Sequence, residues 1–223
     1  TDGSITSQVS VNTDAGFSIV KYSGNSTMGA TIGHGLSATI DLLIVKNLTE
    51  GNQNWRVQAS ALGGTKGASL NTSDAFVNAT YWNNTAATST VFTVDNSAKV
   101  NATGDDYIAY CFHSVDGYQK VGSYTGTGTT SSFTGFGFQP RWILLKRTDS
   151  TGNWWIFDNS RGNNKGLRAN LSNAEDTTDA DANTNEYRIN FLSDGFQYEI
   201  DDSTNASGDL NALNGTYIYL AIA

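Results

Sequence analysis

The chain predicts an all-β protein built from two sequence-related β-sandwich units packed together, with one large concanavalin-like jelly roll as the alternative arrangement of the same strands. The first observation is that the chain is written twice. Tyr22-Ser23-Gly24 runs through Gly33-His34-Gly35-Leu36 into Leu42-Leu43-Ile44-Val45-Lys46 and then Asn54-Trp55-Arg56-Val57. About a hundred residues later, Tyr124-Thr125-Gly126 runs through Gly135-Phe136-Gly137-Phe138 into Trp142-Ile143-Leu144-Leu145-Lys146 and Asn153-Trp154-Trp155-Ile156, and Tyr217-Ile218-Tyr219-Leu220 repeats Tyr107-Ile108-Ala109-Tyr110. The second is that short β-branched and aromatic segments alternate with Gly, Asn, Asp and Ser about every ten residues, the rhythm of strands and turns. The third is composition: the 223 residues are 38% hydrophobic, 11% aromatic and only 15% charged, with one proline. This suits a β-rich extracellular or virion protein better than a helical enzyme.

The elements follow in order. Residues 1–15 are rich in Ser, Thr and Val and read as a lead-in strand or linker; 16–115 form the first repeat and 116–223 the second. Strands are expected at 17–23, 28–33, 41–47, 54–60, 90–95 and 106–113, and again at 118–125, 131–137, 141–147, 153–158, 187–200 with a turn at Asp194-Gly195, and 216–222. Leu42 to Val45 and Trp142 to Leu145 are apolar at consecutive positions, so both faces of these strands should be covered. The best helical windows are 70–77 and its counterpart 167–175. Gly126-Thr127-Gly128 and the other glycine pairs read as hairpin turns, not phosphate loops, because no helix follows them.

The formal charge of −8 argues against a phosphate-tracking nucleic-acid interface and against an anionic membrane surface. No apolar run approaches the length of a membrane span. Cys111 is the single cysteine, embedded in Tyr110-Cys111-Phe112, and reads as a buried structural thiol. The chain starts at Thr1-Asp2-Gly3 without a signal pattern and reads as a processed product or a piece of something longer.

Candidate chemistry is sparse. Glu199-Ile200-Asp201 resembles the start of the catalytic strand of laminarinase-type β-glucanases, where alternate carboxylates share one strand face, but the third position is Ser203 and the acid is missing. Thr93-Val94-Asp95 in the first repeat lacks the Glu as well. The acidic loop offers Asp179, Asp181 and Asn183 as alternate oxygen ligands, a weak calcium candidate without the glycine that a helix-flanked calcium loop requires. Trp155 matches Arg56 while Trp154 matches Trp55, which predicts Trp155 as the exposed member of the pair; Tyr81 and Trp82 lie where the repeats diverge most. These three aromatics are the candidate binding residues, for a subunit contact first and a sugar face second. His34 and His113 have no histidine counterparts in the other repeat, so no paired acid/base role is expected.

Five segments together carry a family resemblance: Gly16 to Val20, Gly33 to Leu36, Asp106 to Ser114, Lys146 to Trp154, and Gly215 to Tyr219. They resemble a tandem-repeat domain of unknown function that recurs in virion structural and tail-fibre-like proteins of marine bacteriophages. The resemblance covers nearly the whole chain from Gly16 onward. One departure is Ile40, where the family often has a proline, as the second repeat does at Pro140. The resemblance implies a location on the virion surface and supplies no catalytic residues.

The expectation is therefore a non-enzymatic bacteriophage structural protein, either a tail-fibre or spike module or a capsid decoration. It would act by self-assembly, with a trimer favoured, other virion subunits as partners and a host surface glycan as a further contact. No cofactor is expected apart from the calcium candidate, and neither nucleic acid nor membrane insertion. A free lectin-like carbohydrate-binding module, or a glycoside hydrolase, is the alternative.

Overall fold

The structure is a computed structural model and describes residues 2–163, 165–177, 187–200 and 210–223. It divides into two compact units: unit 1 is Thr1–Asn71 with Phe76–Val115, and unit 2 is Asp116–Ala223 together with Thr72–Ala75.

Unit 1 contains β1 (Ser7–Asn12), β2 (Phe17–Ser23), β3 (Ala30–Gly33), β4 (Leu42–Asn47), β5 (Arg56–Ala59), β6 (Lys66–Ser69), β7 (Val77–Asn78), β8 (Val91–Val94) and β9 (Asp106–Phe112). The large sheet runs β1-β2-β9-β4-β5-β6-β7, and β3 pairs with β8 in a second sheet. All these pairings are antiparallel. Side chains from both sheets, among them Val20, Tyr22, Ile32, Leu43, Val45, Phe92 and Tyr107, close into one core, which is the packing of a β-sandwich. Residues before Ala15 are part of this unit: β1 pairs with β2, and Ile5 bridges to Ile32 and enters the core.

Unit 2 contains β10 (Gln119–Thr125), β11 (Ser131–Thr134), β12 (Trp142–Arg147), β13 (Trp154–Asp158), β14 (Lys165–Arg168), β15 (Asp176–Thr177), β16 (Tyr187–Leu192), β17 (Gly195–Ile200) and β18 (Thr216–Ile222). Its large sheet runs β10-β18-β12-β13-β14-β15 and its small one β11-β17-β16. Strand for strand this is the order of β2-β9-β4-β5-β6-β7 and β3-β8. Unit 1 adds β1, and unit 2 adds β16. Each unit has a core of its own.

The repeat extends to buried polar bonds. In unit 1, Tyr22 donates to the Val100 carbonyl at 2.7 Å, and the Tyr107 hydroxyl accepts the Ala102 N–H at 2.8 Å. In unit 2, Tyr124 donates to the Leu210 carbonyl at 2.6 Å, and the Tyr217 hydroxyl accepts the Ala212 N–H at 2.8 Å. Fully buried Asn101 accepts from the Asn25 N–H and donates to the Thr27 carbonyl; Asn211 does the same with Thr127 and Thr129. These asparagines fasten the connections by which the chain leaves the large sheet for the small one. The hairpin reading of Gly126-Thr127-Gly128 is thereby corrected. β10 and β11 belong to different sheets, so this segment crosses the sandwich and is not a hairpin.

Neither helical window forms a helix, because an asparagine in each takes a strand-like role. The Asn71 side chain accepts the Trp55 N–H at 3.0 Å, and Asn170 accepts the Trp154 N–H at 2.9 Å, each extending the ladder beyond β6 or β14. Both of these short strands begin Lys-Gly. The glycine is required where an aromatic ring lies against the strand: a Cβ on Gly166 would meet Trp155 and Phe157 at 3.0 Å.

Candidate functional site

Leu42 to Val45 are buried at four consecutive positions, as their sequence predicts. The register Val45↔Arg56 on β4 and β5, and its equivalent Leu145↔Trp155 on β12 and β13, then decides which aromatics face inward. Val45 and Leu145 are core residues, so Arg56 and Trp155 stand on the core-facing side. The expectation of an exposed Trp155 is corrected: Trp155 is 2% exposed, lies in the unit 2 core and stacks on Phe157 at 5.9 Å. Trp154, on the opposite face, is also buried. It was the outward position that matched Trp55, not the core position, and the assignment by repeat reversed the two.

Trp82 is likewise corrected, since it is completely buried in the unit 1 core. Its loop turns tightly enough to fold the indole inward. Asn83 and Asn84 adopt left-handed φ values of 49° and 54°, which asparagine tolerates, and the Asn83 and Thr85 N–H groups donate to the Thr80 and Trp82 carbonyls. Buried Asp95 holds the loop from the other side, accepting from the Thr80 hydroxyl at 3.0 Å while its own N–H donates to the Tyr81 carbonyl at 2.9 Å. Asp95 is thus a structural carboxylate in a turn.

Of the three candidate aromatics, Tyr81 alone reaches the surface, half-buried at the rim of the core. Two cations lie over its ring, the Arg56 guanidinium and the Lys99 ammonium, each 4.9 Å from the centroid. Trp82 stands edge-on beside it at 6.3 Å. Arg56 Nη1 donates to Ser69 at 2.9 Å, and its Nε, like Trp82 Nε1, is buried with no hydrogen-bond partner among the described residues. No carboxylate among the described residues pairs with Arg56 or Lys99. Unit 2 solves the same packing problem with the roles exchanged: Trp155 supplies the ring from the position of Arg56, and Arg168 supplies the guanidinium at 4.5 Å from the position of Ser69. In unit 2 the ring of the pair is the buried Trp155, while in unit 1 the ring is the half-buried Tyr81, which gains Lys99 as a second cation. Tyr81 therefore presents positive charge beside an aromatic ring, an arrangement suited to an anionic group.

The other sequence candidates fall elsewhere. Asp179, Asp181 and Asn183 lie outside the described residues, as does Asp201. Glu199 accepts from Asn190 at 2.8 Å. Among the described residues no group of three His, Cys, Asp or Glu side chains is placed to hold a metal ion. His34 is buried, with Nδ1 accepting from the Leu36 N–H at 3.3 Å and Nε2 donating to the Thr88 carbonyl at 3.2 Å; burial lowers its pKa and keeps the ring neutral. Cys111 is buried, and its pKa is pushed up to about 12 by desolvation. The lowered carboxyls also have structural partners: Ser23 and Lys21 hold down Asp106, Arg147 holds down Asp149, and the Gly137 and Gly135 N–H groups hold down Asp194.

A family described as a domain of unknown function (DUF7483) matches the chain over residues 1–223. No curated protein and no solved structure matches it.

Proposed function

We propose that this chain, which belongs to the DUF7483 family along its whole length, is a non-catalytic structural protein that works by surface contact and self-assembly. In this reading it is a surface component of a bacteriophage virion, a tail-fibre or spike module or a capsid decoration, a role suggested by the resemblance of its five sequence segments. The supporting observation is where its polar chemistry is invested. The tyrosine and asparagine bonds tie turns to strands twice over in matched positions, and the neutral His34 and the clamped Asp106, Asp149 and Asp194 likewise hold backbone or neighbouring side chains within one unit. A scaffold that repeats its stabilising bonds and varies its loops suits a protein selected for shape. Light scattering of the purified chain at two concentrations, with and without calcium, tests this. A discrete oligomer, a trimer above all, supports a fibre or decoration module; an unchanging monomer overturns the assembly reading.

A second role is favoured by one observation, the two cations over Tyr81. In an acidic chain, an arginine and a lysine without a carboxylate partner among the described residues suit recognition of an acidic saccharide on a host surface. Binding to a sulfated polysaccharide that weakens with salt and is lost in Lys99→Ala supports it. Equal binding by that variant overturns it.

A further inference from the structure

The two repeats treat one corner of the sandwich differently. In unit 2, Lys146 is completely buried: its ammonium donates to the Gly152 carbonyl at 2.7 Å and to the Ser73 carbonyl at 3.2 Å, and lies 6.0 Å from the Trp154 ring. The Gly152 N–H also donates to the Ser73 carbonyl, at 2.9 Å. The segment Thr72–Ala75 is thus a clasp, counted within unit 2 although it comes from the middle of the first repeat. In unit 1 the equivalent residues are Lys46, Gln53 and Trp55. Lys46 donates to the Gln53 carbonyl, the Gln53 N–H turns back to Glu50, and both Lys46 and Trp55 stay half-exposed. Among the described residues no clasp lies there.

The chain also carries a spare clasp. Asn71 and Asn170 make identical bonds, each accepting the tryptophan N–H and donating to Asn54 or Asn153 at 2.9 Å, so the residues that follow them are equivalent. Thr72-Ser73-Asp74-Ala75 corresponds to Leu171-Ser172-Asn173-Ala174. The first segment is used on unit 2, and the second is exposed at all four positions.

We infer that the Lys46–Trp55 corner of unit 1 is a docking site for Leu171–Ala174 of a second copy of this chain, joined head to tail. The occupant is chosen by the chain itself, because the equivalent segment already fills the equivalent corner of unit 2. Lys46 would donate to the Ser172 carbonyl as Lys146 does to that of Ser73, and Leu171, exposed on its own unit, would gain cover beside Trp55. The site and the clasp are different surfaces on different repeats, so the contact is head to tail and can close into a ring of copies or run on as a filament. The inference rests on the assembly reading above and specifies its contact.

The test mixes two full-length variants, Gln53→Cys and Ser172→Cys, under mild oxidation, Cys111 being buried. Mixed-disulfide dimers in excess of their statistical share are expected, and Lys46→Met, with unchanged circular dichroism, should weaken self-association about tenfold. If the chain associates but shows neither effect, the docking site is overturned while the assembly reading stands. If it stays monomeric at every concentration, both fall.

Discussion

Tyr22 and Tyr107 stand directly opposite one another on β2 and β9, their rings stacked 5.1 Å apart and 13° from parallel. Tyr124 and Tyr217 repeat the pair on β10 and β18 at 4.8 Å and 9°. Each pair gives both hydroxyls a backbone partner in the connection overhead, so the stack ties the large sheet to the crossing loop.

Removing one hydroxyl from the stack leaves a buried carbonyl unpaired. Tyr22→Phe should cost about 1 to 2 kcal/mol, and Tyr124→Phe a similar amount, by denaturant unfolding. Widely different costs would mean that the two loops are not held alike.

The asparagine latch should matter more, since it serves several backbone groups at once. Asn101 accepts from Asn25 and donates to the Thr27 and Asp95 carbonyls. Asn101→Leu strands all three and should cost about 3 kcal/mol or more. An effect below about 1 kcal/mol would show that water replaces the side chain.

Gly166→Ala presses a methyl against the Trp155 and Phe157 rings and should destabilise the protein by about 1 to 3 kcal/mol. Gly51→Ala, with nothing within 4 Å, is the control and should be close to neutral.

Stability should fall as the solution is acidified, in two stages. The His34 pKa is lowered from 6.5 by burial, so below about pH 6.5 the unfolded chain takes up a proton that the native ring resists, and stability is lost. Asp149 and Asp158 are also lowered, from 3.8; their contribution is present above that value and lost as pH falls through it. Thermal melts between about pH 7.5 and 5 should decline for the native chain and be flatter for His34→Gln. A decline unchanged in that variant would assign the first stage to another group.

Most strands were legible because their burial follows simple periods. β2 and β9 alternate in and out residue by residue, and β4 and β12 each open with four consecutive apolar residues. The short β6 and β14 escaped notice because Lys-Gly openings carry no strand signal and their glycines are there to admit a ring. The facing of Trp155 was not legible, since repeat matching aligns positions without saying which face is core; only the register against Leu145 decides it. Trp82 read as a surface aromatic because its loop differs between the repeats, and the left-handed turn at Asn83 and Asn84 that sends it inward has no counterpart among the described residues of unit 2. The cations over Tyr81 come from β5 and from Lys99, residues brought together by pairing and not by spacing.

The clasp at Thr72–Ala75 makes the boundary between repeats a poor place to cut. A gene fragment beginning at Asp116 encodes every strand of unit 2 yet omits one of the two carbonyls that receive the Lys146 ammonium. Such a fragment would leave the buried ammonium with the Gly152 carbonyl and without the second acceptor at Ser73. A trimmed first half would in turn carry a dangling tether. The boundary between the repeats in the sequence and the boundary between the folded units therefore do not coincide, and only a fragment that keeps Thr72–Ala75 holds all of unit 2.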